Sequence, residues 1–289
     1  MTISADEFVY KLPGNVAGNK PGAHHSHSRG AGLAFAAHAR LFDQPDPRRI
    51  DLHASLCAIP RNWMVRTHYQ RAAIVVSAIV DVSASMHCAV PRNKLELVAD
   101  FLKALGFSAF RAGDAVSLMA FDQGFREDLY LAPRWSRGIG AVLADRIGAC
   151  EARAAPANAL RGLAECLERA AGGRGGLVFL VSDFHWPLDN LELLLPSLRG
   201  TMVVPIVVWD AAEIDPPART GLLSLRDAES GEMRHLWLSQ RTRQRWRAKL
   251  RQRRREIDRA FAAHDIFPFH LNGVFDGGRL SSYFLEQNV

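Results

Sequence analysis

The sequence predicts an α/β protein with a doubly wound, mostly parallel sheet flanked by helices. Two apolar runs, 74–80 and 177–181, contain too few polar residues to expose one face to water, which is typical of strands covered on both sides. From residue 74 to residue 209 such runs alternate with segments of helical spacing. This alternation indicates right-handed crossovers between parallel strands.

The first seventy residues contain fewer signals. Residues 1–22 mix Gly, Pro and Asn and predict a loosely held arm. His24, His25 and His27 follow in a Gly- and Ser-rich stretch, which fits either a transition-metal site or a plain solvent-exposed loop. We expect a short helix at 33–41 and a mostly extended segment at 52–69.

The rest of the chain alternates clearly. Apolar residues at helical spacing predict a helix at 94–106 that stops at Gly106. Ser239 is a suitable N-cap for a long helix at 239–264. The remaining predictions are strands at 115–121, 126–131 at an edge, and 202–209, helices at 139–147, 158–170 and 188–198, and a hairpin of 221–225 with 233–238. We divide the chain into an arm and signature segment (1–69), an α/β domain (70–215) and a C-terminal segment (216–289).

Composition excludes several classes of protein. With 289 residues and 48% hydrophobic content, the chain can bury a full core and is not a disordered protein. The four cysteines lack the C-x-x-C spacing of a zinc ribbon. No window approaches the roughly 18 to 20 apolar residues of a membrane helix, and the first twenty residues lack the apolar region of a signal peptide. We therefore expect a cytoplasmic protein without a membrane span.

Oxygen-bearing side chains follow two of the predicted strands. Asp81, Ser83 and Ser85 come after the run 74–80, and Asp183 comes after the run 177–181. Alternate residues of an extended segment point to one side, so three oxygens can converge there, and the carboxyl ends of parallel strands meet at one edge of the sheet. Such ligands suit Mg²⁺. The pattern also fits an aspartate that caps the next turn beside ordinary loop serines.

These residues carry a resemblance to bacterial von Willebrand factor A-like proteins, whose fold is Rossmann-like. Asp81-x-Ser83-x-Ser85 is similar to their metal-ion-dependent adhesion site, and Ser182-Asp183-Phe184 resembles its last element. The segments 29–36 and 46–51 resemble the signature of a bacterial branch called domain of unknown function fifty-eight. The resemblance implies that Asp81, Ser83, Ser85 and Asp183 hold Mg²⁺ and capture a carboxylate of a partner.

The same resemblance implies partners. Members of this branch are often encoded beside MoxR-type AAA+ ATPases, so we expect a non-enzymatic adaptor that works with such an ATPase in the maturation or remodelling of a client protein, for example methanol dehydrogenase. The loop 151–158 contains no Thr or Ser, where the family usually supplies a Thr ligand. We therefore expect a degenerate site with weak or partner-dependent Mg²⁺ binding.

An enzyme is the alternative for the same aspartate. Asp81 at a strand end also resembles the nucleophile of Mg²⁺-dependent phosphotransferases of the haloacid dehalogenase type. That chemistry needs a second carboxylate two residues later as general acid and base, and Ser83 stands there. We therefore predict that the protein is not an enzyme.

Positive charge is concentrated in one predicted helix. Residues 241–259 contain nine arginines and Lys249 against two acids, and so carry more positive charge than the net +6 of the whole chain. Trp246, Leu250, Ile257 and Phe261 form a narrow apolar stripe that should dock this helix. The outward arginines include Arg247, Arg251 and Arg254. They could form a face that is simply solvated, a binding site for an acidic protein partner, or a binding site for nucleic acid. We favour a protein over nucleic acid because no nucleic-acid-binding motif accompanies them.

Overall fold

The computed structural model describes residues 7–12, 21–30, 34–87, 93–151, 159–170, 176–188, 191–198, 200–214, 221–226 and 233–287. The chain divides into two units, residues 12–74 and residues 1–11 with 75–289. The three segments predicted from the sequence, with limits at 69/70 and 215/216, stay a prediction. The predicted loop 151–158 and the glycine-rich stretch 172–176 lie outside the described residues except at one end each.

Residues 12–74 contain one antiparallel sheet. Strand β3 lies between β1 and β2, and a short helix precedes it. The elements are β1 (Pro21–Gly30), β2 (Ala34–Arg40), α1 (Leu52–Cys57) and β3 (Met64–Ala72). Helix α1 begins where the Asp51 carboxylate accepts a hydrogen bond from the Ala54 N–H at 3.0 Å, as an N-cap does.

Three predictions fail in this unit. The helix predicted at 33–41 is strand β2, because pairing with β3 satisfies its backbone and overrides the helix preference of its alanines. The extended segment predicted at 52–69 begins instead with helix α1. The stretch holding His24, His25 and His27 is strand β1 and not a loop, and the His24 side chain is buried.

The larger unit is built on six described strands in the order β11-β8-β7-β4-β5-β6. All neighbouring pairs are parallel except β5 with the edge strand β6. The strands are β4 (Val75–Asp81), β5 (Ala115–Phe121), β6 (Leu131–Arg134), β7 (Leu177–Ser182), β8 (Met202–Trp209) and β11 (Phe269–Asn272), with a separate hairpin of β9 (Gly221–Arg226) and β10 (Met233–Leu238). Strand β7 is buried throughout and β4 is buried except at its first residue, Val75, as their apolar sequences predict.

Helices cover both faces of this sheet. Phe179 of β7 contacts Phe101 of α2 and Phe284 of α8, whereas its neighbour Leu180 packs in the cluster that holds residues of α4, α5 and α7. The helices are α2 (Lys94–Ala112), α3 (Ile139–Gly148), α4 (Ala159–Ala170), α5 (Leu191–Leu194), α6 (Ala211–Ile214), α7 (Gln240–Ala262) and α8 (Gly277–Glu286). The prediction of a mostly parallel sheet flanked by helices is confirmed.

The chain before the first unit is part of this core. The Phe8 ring is buried against Phe101 and Phe179, and the Tyr10 hydroxyl donates to the Asp114 carboxylate at 2.5 Å. The Phe8 N–H donates to Ser108 Oγ at 3.1 Å. The prediction of a loosely held arm is therefore wrong for residues 7–10. It rested on the Gly and Pro content of residues 1–22, whereas Phe8 and Tyr10 are buried in the core.

Several element boundaries differ from their predictions. Helix α2 continues past Gly106 to Ala112 and ends at Gly113, whose φ of 82° is the left-handed conformation of a helix C-cap. The edge strand predicted at 126–131 is the 3-10 turn Glu127–Leu129 followed by β6. The helix predicted at 188–198 is the short α5 and a 3-10 turn, Leu195–Leu198. The hairpin and the Ser239 N-cap of α7 are confirmed.

Candidate functional site

The two predicted acids lie together at the carboxyl end of the sheet. Strands β4 and β7 are neighbours, with Val80 level with Val181, so Asp81 and Asp183 reach the same edge. Both side chains are completely buried. Burial, and next the nearby charge of Asp183, raises the pKa of Asp81 above its ordinary value. The first expectation from the sequence, that these strand ends converge, is met.

Each oxygen of Asp81 has a donor within the chain. Its Oδ1 accepts the Ser83 N–H at 2.9 Å, and its Oδ2 accepts the Ser182 hydroxyl at 2.6 Å. Ser182 Oγ accepts in turn from the Phe184 N–H at 2.9 Å and the Trp186 indole N–H at 3.1 Å. Because those two donors occupy the lone pairs of Ser182, its own proton is directed to Asp81.

The predicted serines complete the group. Ser83 Oγ and Ser85 Oγ are 3.2 Å apart, and a hydrogen bond from Ser85 helps to keep Asp183 ionised. Both serines are partly exposed, unlike the two acids. The structure therefore brings all four predicted residues to one place, with hydroxyls on the outside and carboxylates beneath.

A lysine that the sequence reasoning missed pairs with one acid of this group. Lys94 Nζ is 2.8 Å from Asp183 Oδ2 and 2.7 Å from Glu213 Oε1. The Lys94 side chain is 1% exposed, so the ion pair with Asp183 is fully buried. Burial alone would lower the pKa of Lys94, but the charges of Asp183 and Glu213 raise it above its ordinary value. Lys94 is therefore an ammonium in this site.

The same charges set the state of the neighbouring groups. Burial opposes ionisation of Asp183, but the ammonium of Lys94, and next the imidazole of His185, lowers the pKa of that carboxyl. Burial likewise disfavours a charged Glu213, and its contacts with His185 and Lys94 lower its pKa. His185 Nε2 lies 3.9 Å from Glu213 Oε1. The site is thus a chain of alternating charges from Asp183 through Lys94 to Glu213.

Magnesium binding at Asp81, Ser83, Ser85 and Asp183 remains a prediction, and this arrangement does not fit it. A Mg²⁺ ion held directly by Asp183 would need one of its oxygens at about 2.0 to 2.1 Å in near-octahedral geometry, yet Oδ2 already accepts from the Lys94 ammonium and Oδ1 from the His185 N–H. The ion and the Lys94 ammonium would also repel each other, because both would be bound to the same carboxylate. Among the described residues, no group of three or more His, Cys, Asp or Glu side chains is placed to hold a metal ion.

The basic helix α7 docks through its predicted stripe. Ile257 and Phe261 are completely buried, and Leu250 packs against the same core cluster. The Trp246 indole N–H donates to the Glu213 carbonyl oxygen at 2.7 Å. Docking of this helix on the body of the unit is therefore confirmed, and Trp246 ties it to the residue that pairs with Lys94.

A groove of about 370 Å³ lies next to the acid pair, at the carboxyl ends of β8 and β11. Trp209 and Asn272, the paired last residues of those strands, contribute to it. The Trp209 indole N–H donates to the Asp183 carbonyl oxygen at 3.0 Å, so the groove adjoins the site. Its lining consists of Trp209, Ile214, Arg247, Leu250, Arg251, Arg254 and Asn272. The three arginines singled out from the sequence therefore share one groove with an apolar floor.

Lys94 and Glu213 were missed for a physical reason. Lys94 is the first residue of α2, just after the N-cap Asn93, where the helix dipole disfavours a cation. That unfavourable position was the available signal, since it indicates that the ammonium has an acidic partner elsewhere. Glu213 offered no such signal. It lies in α6, which is only four residues long and shows no helical periodicity in the sequence.

Comparison with known proteins places the chain in a family. The family model described as "Protein of unknown function DUF58" matches residues 45–256. The chain belongs to this family. The matched range contains Asp81, Lys94, Asp183 and Glu213 and the three arginines of the groove.

Individual relatives of this DUF58 protein are distant. A protein of Paracoccus denitrificans named "Uncharacterized protein in moxR 3'region" is 34% identical over 95 residues, which are 33% of this chain and 90% of that protein. A solved structure of a conserved hypothetical protein, BatB, from Bacteroides thetaiotaomicron is 13% identical, with a TM-score of 0.44 over 74% of this chain and 97% of its own. An aerotolerance-related membrane protein from Bacteroides fragilis is 14% identical, with a TM-score of 0.43 over 75% and 98%.

In the ranges that the structure describes, no helix of this DUF58 protein combines the length and the apolar character needed to cross a membrane.

Proposed function

We propose that this DUF58 protein is a cytoplasmic, non-catalytic adaptor of the von Willebrand factor A type that binds an acidic segment of a partner protein in its arginine groove. The partner is a MoxR-type AAA+ ATPase, and the adaptor brings it to a client protein. Methanol dehydrogenase is one client to assay, because the family resemblance implies it for some members.

The groove is the observation that carries this proposal. Arg247, Arg251 and Arg254 stand at spacings of four and three on one face of α7, so their guanidinium groups can act together. Trp209 and Leu250 give the groove an apolar floor. Arginine binds carboxylates through two parallel hydrogen bonds, and Trp and Arg are both among the residues enriched at protein-binding hot spots. An acidic segment with an apolar side chain matches both features.

The name of one relative supports the choice of partner. The protein of Paracoccus denitrificans that is 34% identical over 95 residues is named for the region downstream of moxR. Genes that stand together often encode proteins that act together. On this basis a MoxR-type ATPase is the first partner to test.

The surroundings of Asp81 support a non-catalytic role. A phosphotransferase nucleophile must present a free carboxylate oxygen to its substrate. Here the Asp81 side chain is 0% exposed and both of its oxygens accept hydrogen bonds from within the chain. Ser83 holds the place where the general acid and base would stand.

The experiment compares two triple variants of α7. The groove variant carries Arg247→Glu, Arg251→Glu and Arg254→Glu. The control carries Arg241→Glu, Arg245→Glu and Arg255→Glu, which change the same charge at exposed positions of the same helix. Binding to the purified MoxR-type ATPase of the same genome is measured by calorimetry at about 50 and about 300 mM salt, on either side of physiological screening.

We expect the groove variant to lose at least about tenfold in affinity, a change of about 1.4 kcal/mol. The control variant should lose much less, and mainly at low salt, because distant surface charges act through a screened field. An equal loss in both variants would show that α7 acts only through its overall charge. Binding of DNA or RNA with a steep salt dependence, and no binding of the ATPase, would replace the proposal with a nucleic-acid role.

A further inference from the structure

The buried ammonium of Lys94 pairs with one of the carboxylates that were expected to hold a divalent cation. It contacts Asp183 Oδ2 at 2.8 Å and Glu213 Oε1 at 2.7 Å, and its side chain is 1% exposed. Asp183 is also beside Asp81, whose own oxygens are held by Ser83 and Ser182. The ammonium of Lys94 therefore bridges two carboxyl groups, Asp183 and Glu213, and the first of them is beside Asp81.

We propose that Lys94 is the resident cation of this site, which makes the cluster of Asp81, Ser83, Ser85 and Asp183 independent of divalent metal. In the same arrangement Glu213 supplies from this chain the carboxylate that an open metal position would take from a partner. The inference does not depend on the arginine groove.

Charge balance carries the first step. A buried carboxylate without a counter-charge is strongly destabilising, and Asp183 is completely buried. A metal ion or an ammonium can provide that counter-charge. Lys94 already does so, and a Mg²⁺ ion bound to the same buried carboxylate would be repelled by the ammonium.

The local structure carries the second step, because it holds Lys94 in place. Lys94 starts α2 directly after the N-cap Asn93, whose side chain accepts the Leu95 N–H at 2.9 Å. The first turn of a helix carries partial positive charge and disfavours a cation. The Lys94 ammonium is therefore more stable beside the carboxylates of Asp183 and Glu213 than beside the helix N-terminus. The second of them, Glu213, is held by its own contacts, since its Oε2 accepts the Asp210 N–H at 3.3 Å.

The test uses the full-length protein and Mn²⁺ as a probe for a Mg²⁺ site. Binding is followed by calorimetry and by the effect of Mn²⁺, Mg²⁺ or EDTA on the melting temperature. The variants are Lys94→Ala, which removes the ammonium, and the double variant Lys94→Ala with Asp183→Asn. The control is Lys103→Ala, an exposed lysine of the same helix whose ion pair with Asp100 is on the surface.

Wild type and Lys103→Ala should show no saturable Mn²⁺ binding, and their melting temperatures should be the same in Mg²⁺ and in EDTA. Lys94→Ala should melt at a lower temperature, bind Mn²⁺ and regain several degrees in Mg²⁺, since a ligand of the folded state stabilises it. The double variant should lose this response to metal.

Two results would overturn the inference. One is saturable Mn²⁺ binding by wild type that Asp183→Asn abolishes. The other is a folded Lys94→Ala protein that does not bind Mn²⁺ and melts at the same temperature in Mg²⁺ and in EDTA. If Lys94→Ala does not fold in any buffer, the wild-type titration with its Asp183→Asn counterpart still decides.

Discussion

Arg253 of the basic helix α7 binds the main chain just after Asp183. Its Nη2 and Nε donate to the Phe184 carbonyl oxygen at 2.6 and 3.1 Å, and Nη2 also donates to the Trp186 carbonyl oxygen. Phe184 has a φ of 52°, the left-handed region that a bulky residue adopts only when its surroundings enforce it. Arg253 and the Ser182 hydroxyl together hold this conformation, because they bind the carbonyl and the N–H of the same residue.

Replacing Arg253 should therefore loosen the loop beneath the site. Arg253→Ala leaves two carbonyl oxygens without their donor, and we expect a loss of about 1 to 3 kcal/mol in the free energy of unfolding. Urea unfolding measures it. Arg255→Ala is the matched control, since Arg255 is exposed on the same helix and should change stability by no more than about 0.5 kcal/mol. Equal stability of the two variants would show that α7 does not hold the loop.

Phe8 anchors the start of the chain in the core. Its ring is stacked on Phe101 and meets Phe179 edge-on, with ring centroids 6.2 and 6.1 Å away. Phe8→Ala would leave a cavity among these rings, and we expect it to cost about 3 to 5 kcal/mol. Val9→Ala, whose side chain is 55% exposed, should change stability by about 0.5 kcal/mol or less. A small effect of Phe8→Ala in urea unfolding would contradict a role in the core.

The sequence predicted the central sheet well because its strands are nearly continuous apolar runs. Helix ends were harder, as Gly106 shows. A glycine within a helical pattern indicates either a stop or a close contact, and the sequence cannot distinguish them. Here a Cβ on Gly106 would lie 2.3 Å from the backbone of Gly140. Gly106 thus lets α2 and α3 touch. The reason for a glycine at this position is a packing contact with Gly140, more than thirty residues away in the sequence, which the local pattern does not reveal.

Adding a methyl group at Gly106 should separate these helices. Gly106→Ala should destabilise the protein by about 1 to 3 kcal/mol, the usual cost of overpacking. Gly148→Ala is the control, because Gly148 also lies in a helix and nothing stands within 4 Å of an added Cβ. There alanine should be neutral or stabilising by up to about 1 kcal/mol. Thermal unfolding of both variants tests the contact, and matching shifts would contradict it.

The site shows a similar division between local and distant information. Asp81, Ser83, Ser85 and Asp183 could be predicted because each follows an apolar strand, and strand ends in a parallel sheet meet at one edge. The counter-charge could not be predicted in the same way. Lys94 reaches Asp183 across 89 residues of sequence, and which lysine fills a buried position depends on how α2 packs on the sheet.

The stability of residues 12–74 should depend on pH through the carboxylate of Asp51. Its carboxylate accepts from the Ala54 N–H at 3.0 Å, from Arg66 Nε at 2.6 Å and from His38 Nε2 at 3.1 Å. The Ala54 hydrogen bond, and then those of Arg66 and His38, hold the pKa of Asp51 well below its usual range. A group with a depressed pKa stabilises the fold above its unfolded pKa, about 3.9 for Asp, and this stabilisation is lost as the pH falls further.

Asp51→Asn keeps an N-cap but removes the charge. The variant should be less stable than wild type at pH 5 to 7, and the difference should narrow as the pH falls from about 4 to about 2.5, because Asp51 of the unfolded wild-type chain then becomes protonated while the folded carboxylate stays ionised. Thermal unfolding across this range measures the difference. Asp43→Asn, at an exposed position of the same unit, controls for the loss of one negative charge. A difference between Asp51→Asn and wild type that stays constant down to pH 2.5 would show that the ionised carboxylate does not stabilise α1 and β3.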